Sequence, residues 1–333
     1  MKFCLWRVSA LALFFGLLSP DWAKAQNLRV PYVSLSPTAG PLWIAYEGGF
    51  FKRNNVNIEL LYIPGGSTII QAIISGDVKI ANMAPPSAIS AWAKGFDLVL
   101  IASGVDQLLE TVVTGPAIKS AADLKNKKIG VSRFGSLTDM ALREALRYYK
   151  LNPDKDVTIL QTGGEATRFA ALTSGAIDGA MLSGDKMVQA EKMGFNVTID
   201  LSKLPIYYPV NGIITSKKFL AANRELTRGF LRSWVEGIKA FKTDKELSIK
   251  VLAKYLKVQD REILEKSHEI YRPVYKAIPY GDRRAVRFAL DQMGKEIPEA
   301  AKLNADDFID NSILSELEKG GFITQLYNEP TKK

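Results

Sequence analysis

The chain is 333 residues long, 47% apolar and 24% charged, with 44 Lys and Arg against 35 Asp and Glu for a net charge of +9. This is globular composition with room for two ordinary domains or one large α/β unit, and it excludes a disordered, collagen-like or polytopic membrane chain. One cysteine, Cys4, and one histidine, His268, exclude a disulfide scaffold and any zinc site built from Cys and His together.

Residues 1–25 read as an export signal. Lys2 and Arg7 make a basic start, Val8 to Leu18 is an unbroken run of apolar and small residues, and Ser19-Pro20 breaks it. Ala23-Lys24-Ala25 then supplies the small-x-small pattern of a cleavage site, which predicts cleavage after Ala25 and a periplasmic product. The apolar run falls well short of the ~20 residues a bilayer span needs. Removing Lys2, Arg7, Lys24 and Asp21 takes the net charge from +9 to +7, and removing Cys4 leaves no thiol and no lipid attachment site. The remaining charge is scattered on helical patterns, as at Arg143, Arg147 and Lys150. No basic block with interleaved aromatics points to nucleic acid.

From Leu28 the chain alternates β-rich runs with helical patterns, the signature of an α/β fold with mostly parallel sheets. Leu28 to Ser34 is predicted as a strand, Leu42 to Glu47 as a helix stopped by Gly48-Gly49, and Asn57 to Ile63 as a strand. A helix follows Gly65-Gly66-Ser67-Thr68 and runs through Ile74. Val78 to Met83 is the third strand, Pro85-Pro86-Ser87 opens a helix closed by Gly95, and Leu98 to Ala102 is the fourth strand. The pattern restarts after Thr111 to Thr114. Lys128 to Ser132 reads as a strand, and Thr138 to Lys150 as a helix with Leu142, Ala145, Leu146 and Tyr149 on its apolar face and Arg143, Glu144, Arg147 and Lys150 facing away. Ser136 and Asp139 have capping-box spacing. Val157 to Gln161, a Gly163-Gly164-Glu165 turn, a helix to Ser174-Gly175 and a strand Ile177 to Leu182 come next.

Ala72 to Ala81 resembles Ala171 to Ala180, each a helix end, a Ser-Gly stop and a buried strand, which predicts two α/β lobes of similar construction. Residues 216–333 turn largely helical, with Leu226, Phe230, Trp234, Ile238 and Phe241 forming one core-facing stripe.

The catalytic inventory is thin. Gly65-Gly66-Ser67 lacks the lysine of a phosphate-binding loop, and Gly130 to Gly135 has the wrong spacing for a nucleophile elbow. Ser183-Gly-Asp-Lys186 has none of the companion motifs that give Ser-x-x-Lys its meaning. His268 lines up with Leu264 and Tyr271 on a helix face and reads as a packed histidine. Asp306, Asp307 and Asp310 lack the glycine and closing Glu of a calcium loop. Nothing here supplies nucleophile, base and orienting group together, so no enzyme and no cofactor are expected.

The polar residues of interest fall where strands end and helices begin, the place ligands bind in open parallel sheets. Helix N-termini there offer free N–H groups to carboxylate, sulfonate or phosphate oxygens. The candidate ligand-binding residues are Ser36, Thr38, Trp43, Gly66, Ser67, Thr68 and Ser87 in the first half, and Arg133, Phe134, Gly135, Ser136, Thr138 and Glu165 in the second, with Asn211 further on. Arg133 is the candidate for pairing an acidic group, and Trp43 and Phe134 for covering an apolar or aromatic one.

Pro41 to Lys52 (Pro-Leu-Trp-Ile-Ala-Tyr-Glu-Gly-Gly-Phe-Phe-Lys), Gln71 to Ala81 and Ser120 to Ser132 together resemble the sulfonate/nitrate/taurine branch of ABC-transporter substrate-binding proteins, in motif order and over nearly the whole mature chain. The resemblance implies a type II periplasmic binding fold: two α/β lobes, each a mostly parallel sheet flanked by helices, joined by two hinge crossings and followed by a helical C-terminal region. The crossings are expected near Gln107 to Gly115 and Pro209 to Ile214. They give one lobe of residues 26–108 and 209–333 and an inserted lobe of residues 109–208. A small anionic ligand would be captured by hinge closure and handed to an ABC permease with its ATPase subunit. The protein would act as a monomer and meet the membrane only through the permease. The superfamily also holds thiamine-pyrimidine precursor binders and synthases. The synthases use an active-site histidine and a cysteine-rich iron motif, from which this chain departs. An exported enzyme or a sensory binding protein on the same fold are the alternatives.

Overall fold

The computed structural model describes residues 27–295 and 297–328; the expected export signal and its cleavage site lie outside the described residues. β1 (Leu28–Tyr32) leads through a short 3-10 turn (Pro37–Ala39) to α1 (Gly40–Glu47) and α2 (Phe50–Arg53). β2 (Ile58–Tyr62), α3 (Gly66–Ile74), β3 (Ile80–Met83), α4 (Pro86–Ala93) and β4 (Val99–Val105) follow. A second series comprises β5 (Thr111–Thr114), β6 (Lys128–Val131), α5 (Leu137–Tyr148), β7 (Thr158–Gln161), α6 (Glu165–Thr173), β8 (Gly179–Leu182), α7 (Gly184–Lys192) and β9 (Asn196–Asp200). After β10 (Asn211–Thr215) the chain is helical. Its helices are α8 (Lys217–Ala222), α9 (Arg224–Thr243), α10 (Lys245–Leu256), α11 (Arg261–Tyr271), α12 (Arg283–Gly294), α13 (Pro298–Lys302), α14 (Ser312–Lys319) and α15 (Phe322–Asn328). No helix among the described residues is long and apolar enough to cross a membrane.

The strands form two five-stranded sheets, ordered β2-β1-β3-β10-β4 and β7-β6-β8-β5-β9. Each has one strand running against its two neighbours: β10 lies antiparallel to β3 and β4, and β5 antiparallel to β8 and β9. The two orders are therefore the same pattern, with β3 and β8 in equivalent places. The internal similarity of Ala72–Ala81 and Ala171–Ala180 falls on these equivalent joints, α3 into β3 and α6 into β8. The chain passes to the second sheet between Val105 and Thr111 and returns between Asp200 and Asn211.

Strands β3, β4, β8 and β10 are buried along their full length, because helices cover both faces of each sheet. Helix α9 buries Phe230, Leu231, Trp234, Val235, Ile238 and Phe241 on one stripe, as its sequence predicts, while Leu226 is only half-buried.

Helix α5 departs from its sequence pattern in three places. Tyr149 caps the helix and is exposed rather than core. Glu144 is buried, held by Arg147 and by Lys295 at 3.5 Å from the C-terminal helices. The capping box does not form: Asp139 Oδ2 accepts from the Gly135 N–H at 2.9 Å, its Oδ1 accepts from Arg143 Nε at 2.9 Å, and the Ser136 side chain makes no cap bond. The aspartate does reach back to the start of the helix, but its oxygen is taken by the Gly135 N–H and not by that of Ser136.

Candidate ligand cleft

The loops at the carboxyl ends of the strands face each other across the two sheets and close on a cavity of about 50 Å³. That is room for about four waters or a ligand of similar bulk. The first sheet contributes Val33, Ser34, Thr38, Pro64, Gly65, Gly66 and Ala84. The second contributes Ser132, Ser136, Leu137, Thr138, Gly164, Glu165 and Arg168, and the two crossings add Glu110 and Val210.

Close approach at this seam depends on glycine. A Cβ on Gly65, whose φ of +90° already favours glycine, would stand 2.8 Å from Arg133 Cγ, and one on Gly184 would stand 2.6 Å from Pro37 Cδ. Across the same seam Ser87 Oγ donates to the Gly135 carbonyl at 2.8 Å, Ser34 Oγ donates to Glu165 Oε2 at 3.4 Å, and Arg133 Nε donates to the Pro64 carbonyl at 3.4 Å. Further out, Lys192 at the end of α7 pairs with Glu262 at 2.7 Å and Asp260 at 3.1 Å, and Lys266 pairs with Glu191 at 3.6 Å. This is a closed arrangement of the two lobes.

Five of the fourteen predicted residues line the cavity: Thr38, Gly66, Ser136, Thr138 and Glu165. Thr138 Oγ1 accepts from the Ser132 N–H at 2.9 Å. Ser136 Oγ is buried with no hydrogen-bond partner among the described residues. Glu165 opens α6 and is 3% exposed; its Oε1 accepts from the Ser183 N–H at 2.6 Å and from Ser183 Oγ at 3.1 Å. Burial pushes its carboxyl up to about 8, with nearby Glu110 and Asp185 adding to the rise and Arg168 opposing it.

The other nine stand outside the lining, for identifiable reasons. Trp43 is wholly buried, stacked on Tyr255 at 4.6 Å, so it packs in the core and is not among the residues that line the cavity. Phe134 is 48% exposed on the outer lip, and Arg133 is exposed beside it, laid over Gly65. Ser36 is turned to Thr38 Oγ1 at 2.6 Å, and Asn211 donates to the Thr38 carbonyl at 2.9 Å, bracing the loop from behind. Ser67 and Thr68 are half-buried on the first turn of α3, and Ser87 and Gly135 are spent on each other.

The sequence reading missed Glu110 and Arg168. Glu110 lies on the outward crossing, 8% exposed, with Oε2 lacking a partner among the described residues, and burial raises its carboxyl above the usual range. Arg168, 4% exposed, spends Nε on the Met181 carbonyl and Nη1 on the Gly163 carbonyl, both at 2.7 Å. Arg168 lies one turn after Glu165 on the same helix, but its guanidinium is bonded to backbone carbonyls, so that spacing marks no ion pair.

His268 is 1% exposed, donates Nε2 to the Phe241 carbonyl at 2.8 Å, and has no part in the cavity, as its helical stripe predicts. No cluster of His, Cys, Asp and Glu among the described residues could hold a metal ion.

Residues 36–246, well over half the chain, match the family model described as NMT1/THI5 like. The chain belongs to the NMT1/THI5-like family. The chain is 27% identical over 233 residues to a taurine-binding periplasmic protein of Escherichia coli K12, covering 68% of this chain and 70% of that one. It is also 30% identical over 220 residues to a 4-amino-5-hydroxymethyl-2-methylpyrimidine phosphate synthase of Aspergillus parasiticus, covering 60% and 61%. Among solved structures it superimposes on the alkanesulfonate-binding protein of Xanthomonas axonopodis pv. citri bound to MOPS, with a TM-score of 0.73 at 17% identity over 85% of this chain and 98% of that one. The two-lobe periplasmic binding fold expected from the sequence is the fold of this family member.

Proposed function

We propose that this protein is the extracytoplasmic solute-binding component of an ABC importer. In this reading one lobe comprises residues 26–108 with 209–333, the other comprises 109–208, and the mature chain begins after Ala25. The observation that carries the reading is the cavity itself. It is small, formed from strand-end loops of both sheets, and edged by Thr38, Gly66, Ser136 and Thr138, neutral donors suited to the oxygens of a small anionic group. Because each lobe supplies part of the wall, a ligand binds the closed form more tightly than the open one and draws the lobes together. The closed monomer then docks on its permease, and a separate ATPase subunit drives release. The taurine-binding relative and the sulfonate-binding neighbour support a small sulfonate-like solute.

The likeness to a pyrimidine phosphate synthase supports a second reading, a small-molecule enzyme in the same cleft. The residues weigh against it: His268 is sunk in the helical core, and the described residues contain no cysteine. Mass spectrometry of small molecules released from purified, denatured protein tests both readings. A single ligand released in near-stoichiometric amount, and recovered unchanged after prolonged incubation with fresh protein, supports the binder; turnover of that molecule supports the enzyme.

A further inference from the structure

The walls of the cavity carry an imbalance of charge. Glu165 and Glu110 both line it, and both are more than nine-tenths buried. The only buried cation lining it among the described residues is Arg168, and its Nε and Nη1 are committed to backbone carbonyls rather than to either carboxylate. Asp185, the third carboxylate of the neighbourhood, already has Lys186 at 3.2 Å. Two carboxylates therefore share one fixed positive charge, and one oxygen of the set, Glu110 Oε2, has no hydrogen-bond donor among the described residues. An uncompensated carboxylate is too costly to bury, so a proton must neutralise it unless a cation arrives.

We infer that the ligand carries a protonated nitrogen, seated between Glu165 and Glu110, as well as the acidic group that faces Ser136 and Thr138: the cleft takes a zwitterion. The inference rests on the solute-binding reading and narrows its substrate class. Three observations converge on it: the buried Glu110 oxygen without a partner among the described residues, the Ser136 hydroxyl in the same condition, both on residues that line the cavity, and the charge count. The same burial, with Glu110 and Asp185 nearby, raises the carboxyl of Glu165. The groups facing this carboxyl are Glu110 on the crossing, Arg168 on its own helix, Asp185 on α7, Tyr62 across the seam and Tyr271 on α11. Tyr62 and Tyr271 are both held protonated by burial, so the carboxylates are the groups that exchange a proton when a cation binds.

The test uses the mature protein and two probes of like shape, taurine and ethanesulfonate, which differ by the amine. Calorimetry at pH 7 in two buffers of different ionisation heat reads both affinity and proton release. Taurine is expected to bind at least tenfold more tightly, to release close to one proton, and to gain affinity by up to about tenfold per unit between pH 6 and 8. Glu165→Gln abolishes the preference and the proton release. Glu110→Gln weakens both and serves if the first variant does not fold. The mass of the ligand released from the protein is the parallel reading: a molecule with a basic nitrogen supports the inference. Equal binding of the two probes, or a released ligand with no protonatable nitrogen, overturns the zwitterion and leaves solute binding standing. Heat from neither probe together with no released molecule overturns both.

Discussion

Tyr62 at the end of β2 and Gly164 at the start of α6 stand on different sheets, and the tyrosine hydroxyl occupies the space a Cβ on the glycine would need. The backbone of Gly164 is at φ −60° and ψ 164°, which any residue can adopt. The glycine is thus required by the neighbour across the seam and not by its own conformation.

Gly164→Ala should therefore leave the fold intact and hinder closure alone. Overpacking by one methyl costs ~1–3 kcal/mol, and here the cost falls only on the closed form. Ligand affinity is expected to drop about tenfold or more, with a melting temperature of the ligand-free protein within a degree or two of the parent. Equal affinity would show that the lobes do not close at this point.

Trp43→Ala separates core from cleft. The indole is fully buried and stacked on Tyr255, so its loss should cost ~3–5 kcal/mol of stability by denaturant unfolding. Affinity measured where the variant is still folded should change less than twofold. A selective loss of affinity at unchanged stability would return Trp43 to the ligand site.

His268 sets part of the acid limb of stability. Burial lowers its folded pKa below the ordinary 6.5, so the unfolded chain takes up the proton first as pH falls. Its contribution is complete above about pH 6.5 and is lost progressively below it, down to the folded pKa. His268→Gln should flatten the stability profile between pH 6.5 and 5, measured by urea unfolding; an unchanged slope would contradict the buried neutral imidazole.

Glu165 acts with the opposite sign. Its folded carboxyl is raised from 4.5 to about 8, so the native, ligand-free protein holds a proton that the unfolded chain releases. Stability of the empty protein should fall as pH rises from about 4.5 to 8, and Glu165→Gln should remove that fall. A profile that is flat over this window in the parent would contradict a protonated Glu165.

The fold was largely legible in the sequence because strand runs such as Val99–Ala102 and stops such as Gly48-Gly49 are local signals, and the repeated Ser-Gly joint marked two equivalent sheets. The site was less legible. Ser34, Gly65, Ser132 and Gly164 belong to the loops that strand ends identify, but which loop residue faces inward depends on the opposite lobe. Trp43 and Asn211 illustrate the limit: one is packed in the core against Tyr255, the other is consumed by the Thr38 carbonyl. Glu110 and Arg168 were invisible for another reason. A single carboxylate on a crossing and an arginine on a helix look like solvated charge until packing removes the water.

Small-angle scattering of the mature protein, emptied by unfolding and refolding and then given back its own released ligand, tests solute capture by closure most directly. The account predicts a radius of gyration that shrinks on adding ligand to the parent, and that fails to shrink in Gly164→Ala at the same concentration. An identical scattering profile with and without saturating ligand in the parent would contradict it.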